Sequence, residues 1–117
     1  MRILFAEDDR ALRSTVSRGL REAGHAVEQA ATGTSARELA ASGAFDAIIL
    51  DILLPGVDGL EVCRVLGNDA KTRDIPIILI SSLNAPEQRV AGFAHGAVDY
   101  VCKPFDAYEV KARVRAH

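Results

Sequence analysis

The sequence predicts a doubly wound α/β domain, in which helices cover both faces of a parallel sheet of five strands. Two observations lead to this fold class. Short apolar runs rich in Ile and Val recur along the chain, and stretches with helical periodicity separate them. Runs that are apolar at every position are typical of parallel strands buried on both faces. Because strand and helix alternate throughout, right-handed crossovers would place the helices on both sides of one sheet.

The first half of the chain predicts three strands and two helices. Leucine and valine recur every four residues over 9–23, which gives the first helix one apolar face, and Gly24 ends it. The second helix opens at a capping box over 35–38 and closes at Gly43. The strands predicted here are residues 3–6, a weaker 26–30, and 45–50.

The second half predicts two more strands and three helices. Asp58 and Glu61 form a capping box for the third helix, and Pro86 suits the first turn of the fourth. Asp106 would cap the fifth helix. The helices are expected over 58–66, from 86 to about 96, and from 106 onward, with strands at 75–80 and 98–102.

Length and composition exclude several classes of protein. The 117 residues suffice for one hydrophobic core, and 49% of them are hydrophobic while 26% are charged, as in ordinary globular domains. The net charge of −2 argues against nucleic-acid binding by this segment. No run is long enough to span a membrane, and no signal peptide is recognisable. Cys63 and Cys102 lack metal-ligand spacing, so free buried thiols in a reducing, cytoplasmic setting are expected.

Polar residues follow four of the predicted strands, at the point where each strand ends. They are Asp8 and Asp9, Asp51, Ser81 and Ser82, and Lys103. In an open parallel sheet, ligands bind beyond the carboxyl ends of the strands, so these side chains would meet at one edge. Carboxylates, a hydroxyl and an ammonium together predict Mg²⁺-dependent phosphoryl chemistry.

The acidic residues carry most of this prediction. One aspartate before a helix is explained by capping, but Asp8 and Asp9 are adjacent and follow Glu7. Like charges repel, and a hard divalent cation relieves the repulsion. Asp51 ends an apolar run, where a carboxylate is unfavourable unless it is paired or bound to a cation. It could also act as a nucleophile and form an aspartyl phosphate.

The hydroxyl and the ammonium have plainer explanations when each is taken alone. A serine at a strand end is commonly a turn residue, and a Lys-Pro pair is commonly part of a loop. Lys103, however, follows an uncharged strand and would pair first with Asp51 and then with its phosphate.

Taken together, these residues resemble the signature of response-regulator receiver domains of two-component signalling. The matching positions are Asp8, Asp9, Asp51, Ser81 and the run Lys103-Pro104-Phe105. The resemblance spans essentially the whole chain and implies a flavodoxin-like sheet in the order 2-1-3-4-5. It also implies that residues 1–117 are a single receiver domain and the N-terminal part of a longer response regulator.

The resemblance further implies a role for each matching residue. Asp51 would be the phosphoacceptor. Asp9, Asp51 and the backbone carbonyl of Leu53 would bind Mg²⁺ or Mn²⁺, with Asp8 acting through water. Ser81 would donate a hydrogen bond to the phosphoryl group.

Three further expectations concern the residues that respond to phosphorylation. Lys103 would form the ion pair and precede a cis peptide bond to Pro104. The orientation of Tyr100 would follow the movement of the Ser81 hydroxyl, although a half-buried strand tyrosine would look the same in sequence. Ser82 occupies a position that is usually a small alanine in the family, and strand alternation favours Ser81 as the functional hydroxyl.

Two apolar residues also depart from the usual pattern around the phosphorylation site. Leu53 and Leu83 stand two residues beyond Asp51 and Ser81, where polar residues would help water attack the phosphoryl group. We therefore expect a long-lived phosphoryl group, because leucines would exclude water.

The resemblance also implies partners. A sensor histidine kinase or a histidine phosphotransfer protein would donate the phosphoryl group, and the surface of the fourth helix, fifth strand and fifth helix would control an output domain outside this chain. Homodimer formation on phosphorylation is a further expectation. Four arginines of the first helix are either a solvated face or a docking surface for the donor: Arg10, Arg13, Arg18 and Arg21.

Two other functions compete with the signalling switch. A phosphatase that forms an aspartyl phosphate usually has a second acid where this chain has Leu53. An interaction module independent of phosphorylation would have no need of the complete acid, hydroxyl and lysine set. The type of output domain stays open. The pair Val98-Asp99 departs from receivers joined to winged-helix DNA-binding domains, and the stretch 68–74 is closer to those joined to cyclic-dinucleotide enzymes or hybrid kinases.

Overall fold

The computed structural model describes residues 1–82, 86–103, 105 and 107–117, which form a five-stranded parallel sheet flanked by helices. The strands are β1 (Arg2–Ala6), β2 (Ala26–Ala30), β3 (Ala47–Asp51), β4 (Ile77–Ser81) and β5 (Asp99–Cys102). The helices are α1 (Arg10–Glu22), α2 (Gly33–Ser42), α3 (Gly59–Gly67), α4 (Pro86–Ala94) and α5 (Ala107–Ala116). The strand order is β2-β1-β3-β4-β5, which confirms the predicted order. Within the described ranges, no helix is long and apolar enough to cross a membrane.

The two faces of the sheet carry separate apolar cores because successive strand residues point to opposite sides. In β3, Ile48 and Leu50 join one core, while Ile49 joins the other. Helices α2 and α3 cover the first core, and α1 and α5 cover the second. All five residues of β3 and of β4 are buried, which explains why these two runs are apolar without alternation.

Side-chain caps fix the starts of the helices. Asp9 Oδ1 accepts a hydrogen bond from Leu12 N at 3.1 Å, and Asp58 Oδ1 accepts one from Glu61 N at 2.9 Å. Both caps lie where the sequence predicts a helix start. The predicted cap at Asp106 lies outside the described residues.

The predicted start of the second helix is wrong by three residues, because the N-cap is Thr32 and not Ser35. Helix α2 begins at Gly33, and Thr32 Oγ1 accepts the hydrogen bond from Ser35 N at 3.0 Å. In any other residue at position 33, the Cβ would lie 1.6 Å from the carbonyl oxygen of Val57. Glycine has no Cβ, so it permits this earlier start. The start of α2 is therefore set by Thr32 and by a glycine that can lie against the Val57 carbonyl, and not by the capping-box pattern at 35–38.

Strands β3 and β4 begin later than predicted and end on the polar residues. Ile75 N donates to Thr72 O at 3.0 Å, so this part of the chain is still a turn, and β4 begins after Pro76. The last residues of the two strands are Asp51 and Ser81, which therefore have positions fixed by the sheet ladder. Neither Cys63 nor Cys102 forms a disulfide within the described residues, as predicted, but only Cys63 is fully buried and Cys102 is half-buried.

Candidate functional site

Strand register brings the predicted site residues to one edge of the sheet. Ala6 of β1 pairs with Leu50 of β3, so the residues that follow, Glu7 and Asp51, come side by side. Ser81 is the last residue of β4 and pairs with Cys102 of β5, next to Lys103. The carboxyl ends of four strands therefore meet at this edge.

Three carboxylates converge there. One oxygen each from Glu7, Asp8 and Asp51 lies within 4.8 Å of the other two. Glu7 and Asp51 are buried, while Asp8 is exposed to solvent. Several negative oxygen ligands at this spacing are what Mg²⁺ and other hard cations prefer.

Lys103 joins two of these carboxylates. Its Nζ lies 2.8 Å from Asp51 Oδ2 and 2.6 Å from Glu7 Oε1. The backbone N–H of Lys103 donates to Ser81 O at 2.8 Å, which extends the ladder between the last two strands. One ammonium therefore balances two buried carboxylates. Burial by itself lowers the pKa of Lys103, but the combined effect of Asp51 and Glu7 outweighs burial and raises it.

Glu7 is a member of the site that the resemblance did not name. Burial is the main cause that raises the pKa of Glu7 to about 7, with a smaller contribution from nearby Asp51, while Lys103 and the backbone N–H of Asp9 act in the opposite direction. Its Oε2 accepts a hydrogen bond from Asp9 N at 3.1 Å. Its Oε1 is fully buried and forms an ion pair with the ammonium of Lys103. The geometry of this contact does not meet the angular criteria of a hydrogen bond, so Oε1 has no hydrogen-bond partner.

That buried Oε1 shows that the site fits a cation. A buried carboxylate oxygen without a hydrogen-bond partner, in a residue grouped with two further carboxylates, can offer a ligand atom to a hard metal ion. The sequence signal for Glu7 was its position: it is the first polar residue after β1 and is directly next to the acid pair.

Asp9 has a different place from the one expected. Its carboxylate caps α1 through Leu12 N and does not belong to the group of three carboxylates. The first turn of a helix has unpaired N–H groups, and the aspartate next to it satisfies one of them. In this structure Glu7 and Asp8, rather than Asp8 and Asp9, form the acid pair beside Asp51.

The loop after β3 holds Asp51 from its other side. Asp51 Oδ1 accepts a hydrogen bond from Leu53 N at 3.0 Å, which brings the Leu53 backbone to the site. The Leu53 side chain is 49% exposed. Helix α3 begins directly behind this loop, and Gly59 N donates to Ile52 O at 2.7 Å.

The two adjacent serines differ in burial. Ser81 is completely buried and Ser82 is exposed, in line with the alternation predicted for the strand. Tyr100 is 7% exposed, and the Arg89 guanidinium lies 5.0 Å from the centre of its ring. The predictions on Leu83 and on the peptide bond to Pro104 lie outside the described residues.

The arginines of α1 do not form one uniform solvated face. Arg10 and Arg18 are exposed. Arg21 donates to Val27 O at 2.8 Å, and Arg13 donates to Glu7 O at 2.7 Å. A charge reversal at Arg13 would therefore disturb the site itself, so it is not a clean probe of partner docking.

Comparison with known proteins gives a family match over nearly the whole chain. The family model of the response regulator receiver domain matches residues 3–115. The chain belongs to this family. It is thus a receiver domain of the response regulators of two-component systems, with the doubly wound fold described above.

Three related proteins illustrate the family. The receiver domain is 44% identical to RpaA of Synechocystis sp., a DNA-binding dual master transcriptional regulator, over 98% of this chain and 48% of RpaA. The BeF₃-activated N-terminal receiver domain of Klebsiella pneumoniae RstA superposes with a TM-score of 0.89 at 32% identity, covering 100% of this chain and 97% of that domain.

The third is the receiver domain of the Pseudomonas aeruginosa sensor histidine kinase PA1611, which holds a magnesium ion in its active-site cleft. It superposes with a TM-score of 0.90 at 29% identity, over 98% of this chain and 94% of that domain. The receiver domain described here spans about half the length of RpaA.

Proposed function

We propose that this receiver domain is a signalling switch that accepts a phosphoryl group on Asp51. The observation that carries the proposal is the position of the Asp51 carboxylate, 2.8 Å from the Lys103 ammonium and grouped with the carboxylates of Glu7 and Asp8. A phosphohistidine of a sensor kinase or phosphotransfer protein would be the donor. The P–N bond breaks, a P–O bond to Asp51 forms, and the imidazole leaves and takes up a proton.

Glu7, Asp8 and Asp51, with the backbone carbonyl of Leu53, would hold Mg²⁺ or Mn²⁺. A metal ion held by these residues would supply positive charge at the site of phosphoryl transfer. This set replaces the one expected from the sequence, because the Asp9 carboxylate serves as the cap of α1.

Ser81 and Lys103 would sense the transferred group. Phosphorylation adds nearly two negative charges, to which an ammonium and a hydroxyl donor are drawn. Both residues lie at the ends of the last two strands, and Tyr100 lies three residues before Lys103 on β5. Their movement would bias an equilibrium in the surface formed by α4, β5 and α5.

The proposed partners follow from the same family. A cytoplasmic sensor kinase or phosphotransfer protein would donate the phosphoryl group, and an output domain beyond this chain would respond to the altered surface. RpaA is named as DNA-binding, so we propose a DNA-binding output domain over the cyclic-dinucleotide or kinase outputs suggested by residues 68–74. A homodimer through the α4, β5 and α5 surface would be the activated form.

Phosphorylation by a small-molecule donor tests the proposal directly. The protein is incubated with acetyl phosphate and Mg²⁺, and intact-mass spectrometry records the addition of one phosphoryl group. Wild type is expected to be modified, Asp51→Asn not at all, and wild type with EDTA very little.

A matched pair of variants tests the metal set. Asp8→Asn should abolish or strongly slow the reaction because it removes a ligand, while Asp9→Asn should retain it because asparagine also caps helices. Absence of modification in wild type would overturn the phosphorylation proposal. A loss in Asp9→Asn as large as that in Asp8→Asn would restore Asp9 as a ligand.

A further inference from the structure

Arg13 lies on the same face of α1 as the buried Val16 and Leu20, and its side chain reaches back to the segment before the helix. Its Nη1 donates a hydrogen bond to the backbone carbonyl oxygen of Glu7 at 2.7 Å, and lies 3.5 Å from that of Asp8. Glu7 and Asp8 are two of the three residues whose carboxylates converge at the site. The guanidinium thus contacts the backbone of both acids.

The backbone N–H of Arg13 holds the same short segment at a second point. It donates to Asp9 O at 2.9 Å, which is the first hydrogen bond of α1. On the strand side, Glu7 N donates to Ala30 O at 2.9 Å, so β2 fixes the beginning of the segment. The Arg13 side chain is half-buried and contacts the segment between these two fixed points, at the carbonyl groups of Glu7 and Asp8.

We propose that Arg13 is a positioning residue for the cation site. By holding the carbonyl groups of Glu7 and Asp8, its guanidinium fixes the orientation of their carboxylates toward Asp51. The inference rests on the proposed function, since it concerns the geometry of the same metal-binding group.

The positive charge of Arg13 affects metal affinity in the opposite sense from its positioning contact, so an experiment can distinguish the two effects. A positive charge close to a cation site repels the cation, so removal of the charge alone would strengthen metal binding. Removal of a positioning contact would weaken it, because ligand atoms must lie within about 0.2 Å of their required distances. Positioning and electrostatics therefore predict changes of opposite sign in metal affinity.

We expect positioning to dominate. The interaction between the guanidinium and the metal is screened by water at the half-buried edge, whereas loss of groups that orient metal ligands typically weakens metal binding about 10–100-fold. Arg13 acts through the backbone, so Arg13→Gln is expected at the low end, about tenfold weaker. Arg13→Lys keeps the charge and offers a single ammonium, so its affinity should fall between wild type and Arg13→Gln.

The experiment measures Mn²⁺ binding by the loss of the electron paramagnetic resonance signal of the free ion. The variants are Arg13→Gln and Arg13→Lys, with Arg10→Gln as a control that removes an exposed charge three residues away. Thr72→Val is a second control, because it should destabilise the fold at the opposite edge of the sheet without touching the carboxylates. Both controls should bind Mn²⁺ as wild type does.

Affinities in the order wild type, Arg13→Lys, Arg13→Gln support the proposal. Equal or tighter binding by Arg13→Gln overturns it, as does an equal loss in Arg10→Gln or Thr72→Val. If Arg13→Gln does not fold, Arg13→Lys decides: weaker binding than wild type supports positioning, and unchanged or tighter binding refutes it. A wild type that binds no Mn²⁺ would instead contradict the proposed function.

Discussion

Replacement of Gly59 by alanine should displace the end of β3 from helix α3. A Cβ at Gly59 would lie 2.1 Å from the carbonyl oxygen of Asp51 and 2.7 Å from the Cα of Ile52. All of these neighbours are backbone atoms, so no side chain can rotate away. The helix or the strand end must move by about 1.3 Å to reach the 3.4 Å of an ordinary contact.

The expected loss of stability follows from two opposing terms. Overpacking at a site that cannot rearrange costs about 1–3 kcal/mol. The higher helix propensity of alanine, compared with glycine, stabilises the helix by at most about 1 kcal/mol. Because the overlap with backbone atoms is severe, the upper part of the first range applies, about 2–3 kcal/mol, and the net loss should be about 1–2 kcal/mol. This corresponds to a fall in the unfolding midpoint of roughly 4–8 °C for a domain of this size. Phosphorylation of Asp51 should slow as well, because metal–oxygen distances tolerate only small errors.

Gly92→Ala is the matched control. It is also a helical glycine with a close neighbour, since its Cβ would lie 2.5 Å from Leu79 Cδ1. That neighbour is the end of a side chain, which can shift more easily than backbone but is buried in the core, so Gly92→Ala should lower the midpoint less than Gly59→Ala does. Thermal unfolding followed by circular dichroism, together with the acetyl phosphate assay, measures both effects. A Gly59→Ala protein as stable as wild type, or an equal loss in Gly92→Ala, would refute the reasoning.

Three more outcomes follow from the described contacts. Lys103→Met should destabilise the metal-free domain by about 3 kcal/mol, because it leaves two buried carboxylates without a counter-ion, and added Mg²⁺ should restore part of the loss; an unchanged urea midpoint would contradict this. Thr72→Val should lower the free energy of unfolding, measured in urea, by about 1–2 kcal/mol, because the Thr72 hydroxyl donates to Leu66 O at 2.7 Å. Ser17→Ala should leave it unchanged, because in the described structure this buried hydroxyl has no hydrogen-bond partner. Leu53→Asn should speed the loss of the phosphoryl group from Asp51, measured by phosphate release, and equal or slower decay would count against water exclusion by Leu53.

The strand and helix pattern was predictable because it depends on local signals. β3 and β4 are buried on both faces, and such strands are apolar at every position, which a sequence shows directly. The strand order is a non-local property and came from the resemblance to receiver domains rather than from periodicity. The start of α2 was wrong because it depends on the close approach of Gly33 to the Val57 carbonyl, a contact between segments distant in sequence.

The candidate site was predictable in its residue types but not in the pairing of its acids. Three consecutive acidic residues, Glu7, Asp8 and Asp9, follow β1, and either adjacent pair could have faced Asp51. The choice depends on which carboxylate caps α1, and this in turn depends on where the helix begins. The contact between Arg13 and the Glu7 carbonyl could not be predicted from the charge pattern, because every residue has a backbone carbonyl and the sequence does not show which one is contacted.

The hydrogen bond from Lys103 N to Ser81 O has a consequence for how the switch would operate. At 2.8 Å, it couples the two proposed phosphate sensors through the main chain, across neighbouring strands. A displacement of the main chain at one strand end would carry the other with it, so the two side chains would move together. The domain would then report phosphorylation cooperatively, as a two-state signal, and partial engagement by a single sensor would yield little output.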